Sequence, residues 1–221
     1  IDDVAASISQ ILARRQDGDV KEKARVVGND LTYGTYLSIN ATARIRELIK
    51  IAGVKATAAV IMRYLSVADP LTQSISGVGW VLDRFKILNE AFTSPINSHV
   101  LDIPEGQFFS EFPDTDSVFG SCGSVFNNAQ PEARPGNWLV VPPGIPSVIT
   151  RSLTIFDTCM NTVPKTAVYI VHRPFLNILK TSSHVCENGM IDISNNRCMV
   201  ILSSEKTKVA PETVEYIKAN L

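Results

Sequence analysis

The apolar positions change their spacing about a third of the way along the chain. In "DDVAASISQILARR", Val4, Ile8, Ile11 and Leu12 share one helical face behind two acidic residues, the order expected at a helix start. "YLSINATARIRELIKIAG" repeats that spacing through Ile39, Ala43, Ile45, Leu48 and Ile49, with Gly53 as a C-terminal stop. A third helix reads through "KATAAVIMRYLSVADP", ended by Pro70, and a fourth through "GWVLDRFKILN". The texture then turns short and mixed. "EFPDTDSVFGSCGSVFNNAQPEARPGN" reads as one long loop region, and compact domains keep such stretches for function or leave them disordered. Beyond it come an apolar run "WLVV", a helix "PSVITRSLTIFDTCMN", apolar runs "TAVYIVH" and "RCMVILSS", and a closing helix "APETVEYIKANL". Runs that are apolar throughout predict strands covered on both faces, so the sheet is parallel or mixed. The expected fold is α/β, with a helical segment at 1–72 ahead of a sheet-containing domain at 73–221.

The totals agree with that picture and narrow it. A chain of 221 residues suits one medium α/β domain, or one with a small extension. With 45% hydrophobic and 19% charged residues it can build a sizeable core. The net charge of −1 excludes a strongly basic nucleic-acid footprint, so any RNA contact rests on a local patch. "RIRELIK", with Arg44, Arg46 and Lys50, is one such patch; it reads equally as a solvated face. No apolar run reaches the ~20 residues of a membrane span, and no stretch reads as a signal peptide with a basic start and an apolar middle. The chain opens on Ile1, which reads as a fragment, a processed product or part of a longer protein. Cys122, Cys159, Cys186 and Cys198 form no C-x-x-C pair and no metal-ligand spacing with histidine. They read as free thiols of an intracellular protein, nuclear or cytoplasmic, without a metal site or a membrane.

In open α/β sheets ligands bind outside the carboxyl ends of the strands. Three loops qualify: "TSPIN" at 93–97, "FPDTDSVFGSCG" at 112–123 and "VPPG" at 141–144. Asp114 and Asp116 can accept hydrogen bonds from ribose hydroxyls or an amino group, and serve equally as a turn or helix cap. Gly120 and Gly123 serve a turn or a close cofactor approach. Arg173, after "TAVYIVH", faces substrate phosphate or is an ordinary strand exit. Trp138 reads as core.

The order of these pieces resembles a known family. "NEAFTSPIN", then "FPDTDSVFGS", then an apolar strand ending in two prolines, then "AVYIVHRP" and "RCMVIL", is similar to the catalytic domain of the phosphorylated CTD-interacting factor family over about residues 75 to 205. Those are cap-specific adenosine N6-methyltransferases of messenger RNA. Members carry a similar Phe-Ala-Ser-Pro-Leu-Asn segment, a Phe-Pro-Asp-Thr-Asp segment followed by Phe-Gly-Ser, and a strand ending in Asn-Pro-Pro-Phe. The resemblance implies a Rossmann-like class I methyltransferase sheet with helices on both faces, preceded by a helical segment, and S-adenosylmethionine as cofactor. Phe92, Thr93, Ser94, Pro95 and Asn97 match the first cofactor loop. Asp114, Asp116, Phe119, Gly120 and Ser121 are implied to line the same pocket, and Val141, Pro142, Pro143 and Gly144 stand at the catalytic loop. Arg173, Arg44, Arg46 and Lys50 are the candidate RNA contacts.

At that loop the chain departs from the family pattern. N6 transfer needs a polar group that accepts from the exocyclic amine, and an aromatic that stacks on the extruded base. Val141 accepts nothing through its side chain, and Gly144 cannot stack. Losing one positioned polar group costs roughly 10²–10³ in rate at analogous sites. The expectation is a catalytically degenerate subunit with a scaffolding or RNA-binding role, paired with RNA, a protein partner or a larger complex. Two alternatives stand beside it: an active methyltransferase with an altered target, and an unrelated α/β interaction domain.

Overall fold

The computed structural model describes residues 2–13, 25–27, 30–33, 37–40, 42–65, 78–194 and 196–221. The domain boundary expected at residue 72, and the helix end expected at Pro70, lie outside them.

The body is a six-stranded mixed sheet built from β4 (Ile87–Ala91), β5 (Gln107–Phe108), β6 (Asn137–Val140), β7 (Thr166–His172), β8 (Val185–Asp192) and β9 (Arg197–Ser203). Their spatial order is β5-β4-β6-β7-β9-β8. β4 pairs parallel with β5 and β6, and β6 with β7. β9 pairs antiparallel with both β7 and β8, so it alone runs against the other five. From β4 the chain winds outward to β5, then crosses back to β6 and β7 on the other side. The carboxyl ends of β4 and β6 therefore flank a topological switch point, where such sheets open a crevice.

Both faces of the sheet are covered, as the apolar runs require. In β7, Val168 and Ile170 point to one face and Ala167, Tyr169 and Val171 to the other, all buried. The first face joins Leu139 and Ile201 to α3 (Val78–Arg84), α8 (Pro211–Asn220) and the N-terminal helices. The second packs Trp138, Val140 and Tyr169 on Ile149, Leu153 and Phe156 of α6 (Pro146–Met160). Each such aliphatic side chain contributes roughly 1.5–3 kcal/mol by leaving water. Trp138 is core, as expected, with the rings of Phe109 and Phe156 each 5.2 Å away. Its indole Nε1 is buried with no acceptor among the described residues.

The first third is less uniformly helical than its spacing predicts. α1 (Asp2–Ala13) and α2 (Thr42–Leu65) form, but β1 (Arg25–Val27), β2 (Asp30–Tyr33) and β3 (Leu37–Asn40) make a small antiparallel sheet between them. "LSIN" alternates apolar and polar, and strand pairing with β2 overrides the helical reading of that stretch. Gly53 breaks α2 with φ 81, so it does end one helical stretch before another begins. α3 stops at Arg84 because Lys86 turns into the left-handed region with φ 52, which no glycine signals in the sequence. The remaining "ILNEA" is strand β4. The expected long loop is partly helical: α4 (Pro113–Asp116) starts on a proline, a 3-10 turn follows at Ser117–Phe119, and α5 (Val125–Asn128) is capped by Ser124, whose hydroxyl accepts from the Phe126 N–H at 3.3 Å. α7 (Leu176–Leu179) and β8 complete the set of elements that the spacing did not predict.

Candidate functional site

A cavity of about 820 Å³ opens at the carboxyl ends of β4, β5 and β6. That is the size of a pocket for a drug-sized ligand, and it lies at the switch point.

Phe92, Thr93, Ser94 and Asn97 line it from the loop after β4. Phe92 holds a left-handed φ of 61, strained backbone of a kind that clusters at binding sites. The loop beyond is tied down from within. The Asn97 Oδ1 accepts from the Thr93 hydroxyl at 3.2 Å, the Ser94 N–H at 3.0 Å and the Ser94 hydroxyl at 2.5 Å. Pro95 sits in the same loop without lining the cavity. Beneath it, the buried Glu90 carboxylate accepts from the Ser98 hydroxyl at 3.0 Å and the His99 N–H at 2.7 Å, and pairs with the His99 ring at 2.8 Å. Glu90 is thus fully engaged in holding the loop.

The wall after β5 is Phe109, Ser110, Glu111 and Phe112. Glu111 is exposed to the cavity and makes no hydrogen bond or ion pair among the described residues. The two aspartates expected here are committed elsewhere. Asp114 pairs with Arg63. Asp116 is buried and accepts from the Tyr64 hydroxyl at 2.5 Å and the Thr115 hydroxyl at 2.9 Å. Burial raises the Asp116 carboxyl above its ordinary value, against the pull of its hydrogen bonds to Tyr64, Ser110 and Thr115. Burial beside Asp116 also pushes the Tyr64 hydroxyl well up. Tyr64 itself lines the cavity, so α2 supplies part of the wall. Phe119 is buried in the core, and Gly120 and Gly123 take left-handed turns with φ 92 and 82, the turn role open to both in the sequence. The Ser121 hydroxyl bonds to that of Ser110 at 2.6 Å. Phe119, Gly120 and Ser121 support the wall from behind rather than line it.

After β6, Val141, Pro143 and Gly144 line the cavity, and Pro142 does not. Val141 is buried and its N–H donates to the Ala91 carbonyl at 3.3 Å, which ties the two loops together. The Pro143 carbonyl accepts from the Ile145 N–H at 2.7 Å in a tight turn into α6. Ile145 just before that helix, Val148 and Arg151 within it, and Phe126 of α5 close the far side. The Arg151 guanidinium lies 4.2 Å over the Phe126 ring and has no carboxylate partner among the described residues.

The basic residues singled out in the sequence stand away from this cavity. Arg44 is held by Glu47 and Asp102, each at 3.2 Å, and donates to the Ser98 carbonyl at 2.8 Å. Arg46 and Lys50 are exposed on α2. Arg173 pairs with Asp192 at 3.0 Å. Among the described residues no cluster of metal-ligating side chains forms and no helix is long and apolar enough to cross a membrane.

Sequence reasoning missed Glu111, Tyr64, Phe126 and Arg151. Glu111 stands in "SEFPDTD", where three acids lie within six residues and nothing local ranks them. β5 is only two residues long, too short to announce which acid follows a strand.

The family model described as phosphorylated CTD interacting factor 1 WW domain matches residues 70–196. That span carries every cavity-lining residue except Tyr64. No curated protein matches the chain.

Proposed function

The chain belongs to the phosphorylated CTD interacting factor 1 WW domain family, and from that membership and the cavity we propose a methyltransferase-fold protein that holds S-adenosylmethionine and RNA but has lost adenine N6 transfer. Its role is then RNA binding or scaffolding within a larger assembly, in keeping with a nuclear site of action. The observation that carries this reading is Val141, which puts an apolar, buried side chain into the cavity wall where an amine acceptor is needed.

Support for a Rossmann-like methyltransferase sheet comes from the winding in both directions from β4, with the crevice at the carboxyl ends of β4 and β6. The donor set also suits the cofactor. Glu111 is a free carboxylate after the strand next to β4, suited to ribose hydroxyls as acids at that place are in other dinucleotide folds. Phe92, Phe109, Phe112 and Phe126 give an aromatic lining that favours a cationic centre. When bound, the cofactor supplies an electrophilic methyl group on a sulfonium. The chain's own residues hold it through the pre-ordered Thr93–Asn97 loop and exclude water with the aromatic walls. Arg151, the one arginine or lysine lining the cavity among the described residues, is placed to meet a phosphate of a bound RNA. Val141 shields the floor but cannot orient an amine.

A second reading, an active enzyme with another target, is favoured by the open cavity and the free Glu111. Calorimetry with S-adenosylmethionine and transfer of labelled methyl to capped RNA separate the two. The expected result is cofactor binding without N6 product. Absent binding would sink both, and wild-type N6 turnover would sink the first.

A further inference from the structure

α2 grips both walls of the cavity, and it does so from outside the span 70–196 that matches the family. Near its end, Tyr64 lines the cavity and donates to Asp116 behind the wall after β5. Near its start, Arg44 reaches the loop after β4. Between the two, Gly53 leaves helical geometry with φ 81 and ψ 172, so α2 is two stretches, each tied to one wall. The sequence offered Arg44 to RNA, yet its guanidinium fork is spent on the protein. One nitrogen donates to the Ser98 carbonyl at 2.8 Å, and the other pairs with Asp102 and Glu47, each at 3.2 Å.

Those contacts lead to cavity residues in two steps. Ser98 is buried and held on three sides. Its carbonyl accepts from Arg44, its hydroxyl donates to the buried Glu90 carboxylate at 3.0 Å, and its N–H donates to the Ser94 carbonyl at 2.9 Å. The Asn97 N–H donates to that same Ser94 carbonyl at 3.2 Å. Ser94 and Asn97 both line the cavity. Glu90, Ser94 and Asn97 belong to β4 or its own loop, so their bonds shape the loop only from within. Arg44 ties it to a second element, 54 residues away in the chain. Its removal leaves a buried carbonyl without its charged donor, and the loop without that outside anchor.

We propose that Arg44 is a positioning residue for the ligand site, holding the Thr93–Asn97 loop in its binding geometry through Ser98 without touching the ligand. This rests on the reading of the cavity as the S-adenosylmethionine site. It adds that the site is set in part by the helix ahead of the family-matched span.

The test uses the full chain, calorimetry with S-adenosylmethionine, and hydrogen exchange of the loop peptide. Arg44→Ala is expected to weaken binding about tenfold, since the loop must then be ordered on binding. Exchange should rise across 94–102 and stay unchanged in β6 and β7, a local readout that general destabilisation would not give. Asn97→Ala loosens the same loop from within, so adding Arg44→Ala to it should cost less affinity than in wild type. Asp102→Ala, at an exposed position, keeps the fold and removes a carboxylate that steers the guanidinium; a loss of up to about fivefold in the same direction is expected. Thermal melts confirm that each variant is folded. Wild-type affinity in both folded Arg44→Ala and Asp102→Ala overturns the proposal and leaves the cavity reading standing, as does a loss in Arg44→Ala that adds fully to that of Asn97→Ala. If wild type binds no S-adenosylmethionine, the cavity reading falls and the proposal with it.

Discussion

The Tyr64 hydroxyl donates to the buried Asp116 carboxylate at 2.5 Å, joining α2 to the wall after β5. The Tyr64 and Phe112 rings meet edge-on at 5.3 Å beside that bond. Tyr64→Phe removes a donor from a buried acceptor, so it is expected to cost about 1–3 kcal/mol in urea unfolding. Asp116→Asn in the Tyr64→Phe background should cost less than in wild type. A double-mutant cycle with no coupling between the two would show that the contact carries nothing.

The same carboxyl makes stability depend on pH. Burial raises Asp116 above 3.8, so the folded state binds its proton more tightly than the unfolded chain does. Its contribution is full below the unfolded value of 3.8 and is lost as pH rises through the folded value. Melting temperature followed upward from that point should therefore fall more for wild type than for Asp116→Asn. Parallel curves would mean that the group titrates normally.

Asn97 organises the loop after β4 through three hydrogen bonds to one oxygen. Asn97→Ala is expected to lower stability by about 1–3 kcal/mol and to weaken S-adenosylmethionine binding in calorimetry, since the loop must then be ordered on binding. Unchanged affinity would place the cofactor elsewhere.

Among the described residues Glu111 is the unpaired carboxylate that lines the cavity, and Asp114 is paired outside it. Glu111→Gln should weaken cofactor binding about tenfold or more, the scale of a hydrogen bond to a charged group. Asp114→Asn should leave it unchanged. The reverse pattern would restore the aspartates to the role that the sequence suggested.

Arg151 should account for a phosphate contact. In RNA titrations at several salt concentrations, Arg151→Ala is expected to lower the slope of log K against log salt by about 0.7, as for one phosphate lost on a single strand. Arg44→Ala should leave the slope alone, because Arg44 is already held by Glu47, Asp102 and the Ser98 carbonyl.

Strands β6, β7 and β9, and helices α6 and α8, were legible in the sequence because their apolar residues are consecutive or periodic and pack where they stand. The shared pocket of "FTSPIN" and "VPPG" was implied only by the family resemblance; in the fold both loops line one cavity because they leave parallel neighbouring strands at the same end. β4 hid inside a helical pattern because Lys86 turns the chain without a glycine to signal it. What the sequence could not decide is which polar groups are free. Asp114, Asp116 and Glu111 are equivalent in one dimension; only the docking of α2 consumes the first two, through Arg63 and Tyr64, and leaves the third in the cavity. Local patterns specify elements because each residue meets its near neighbours. Partners fifty residues apart are chosen by packing, and packing exists only in the folded chain.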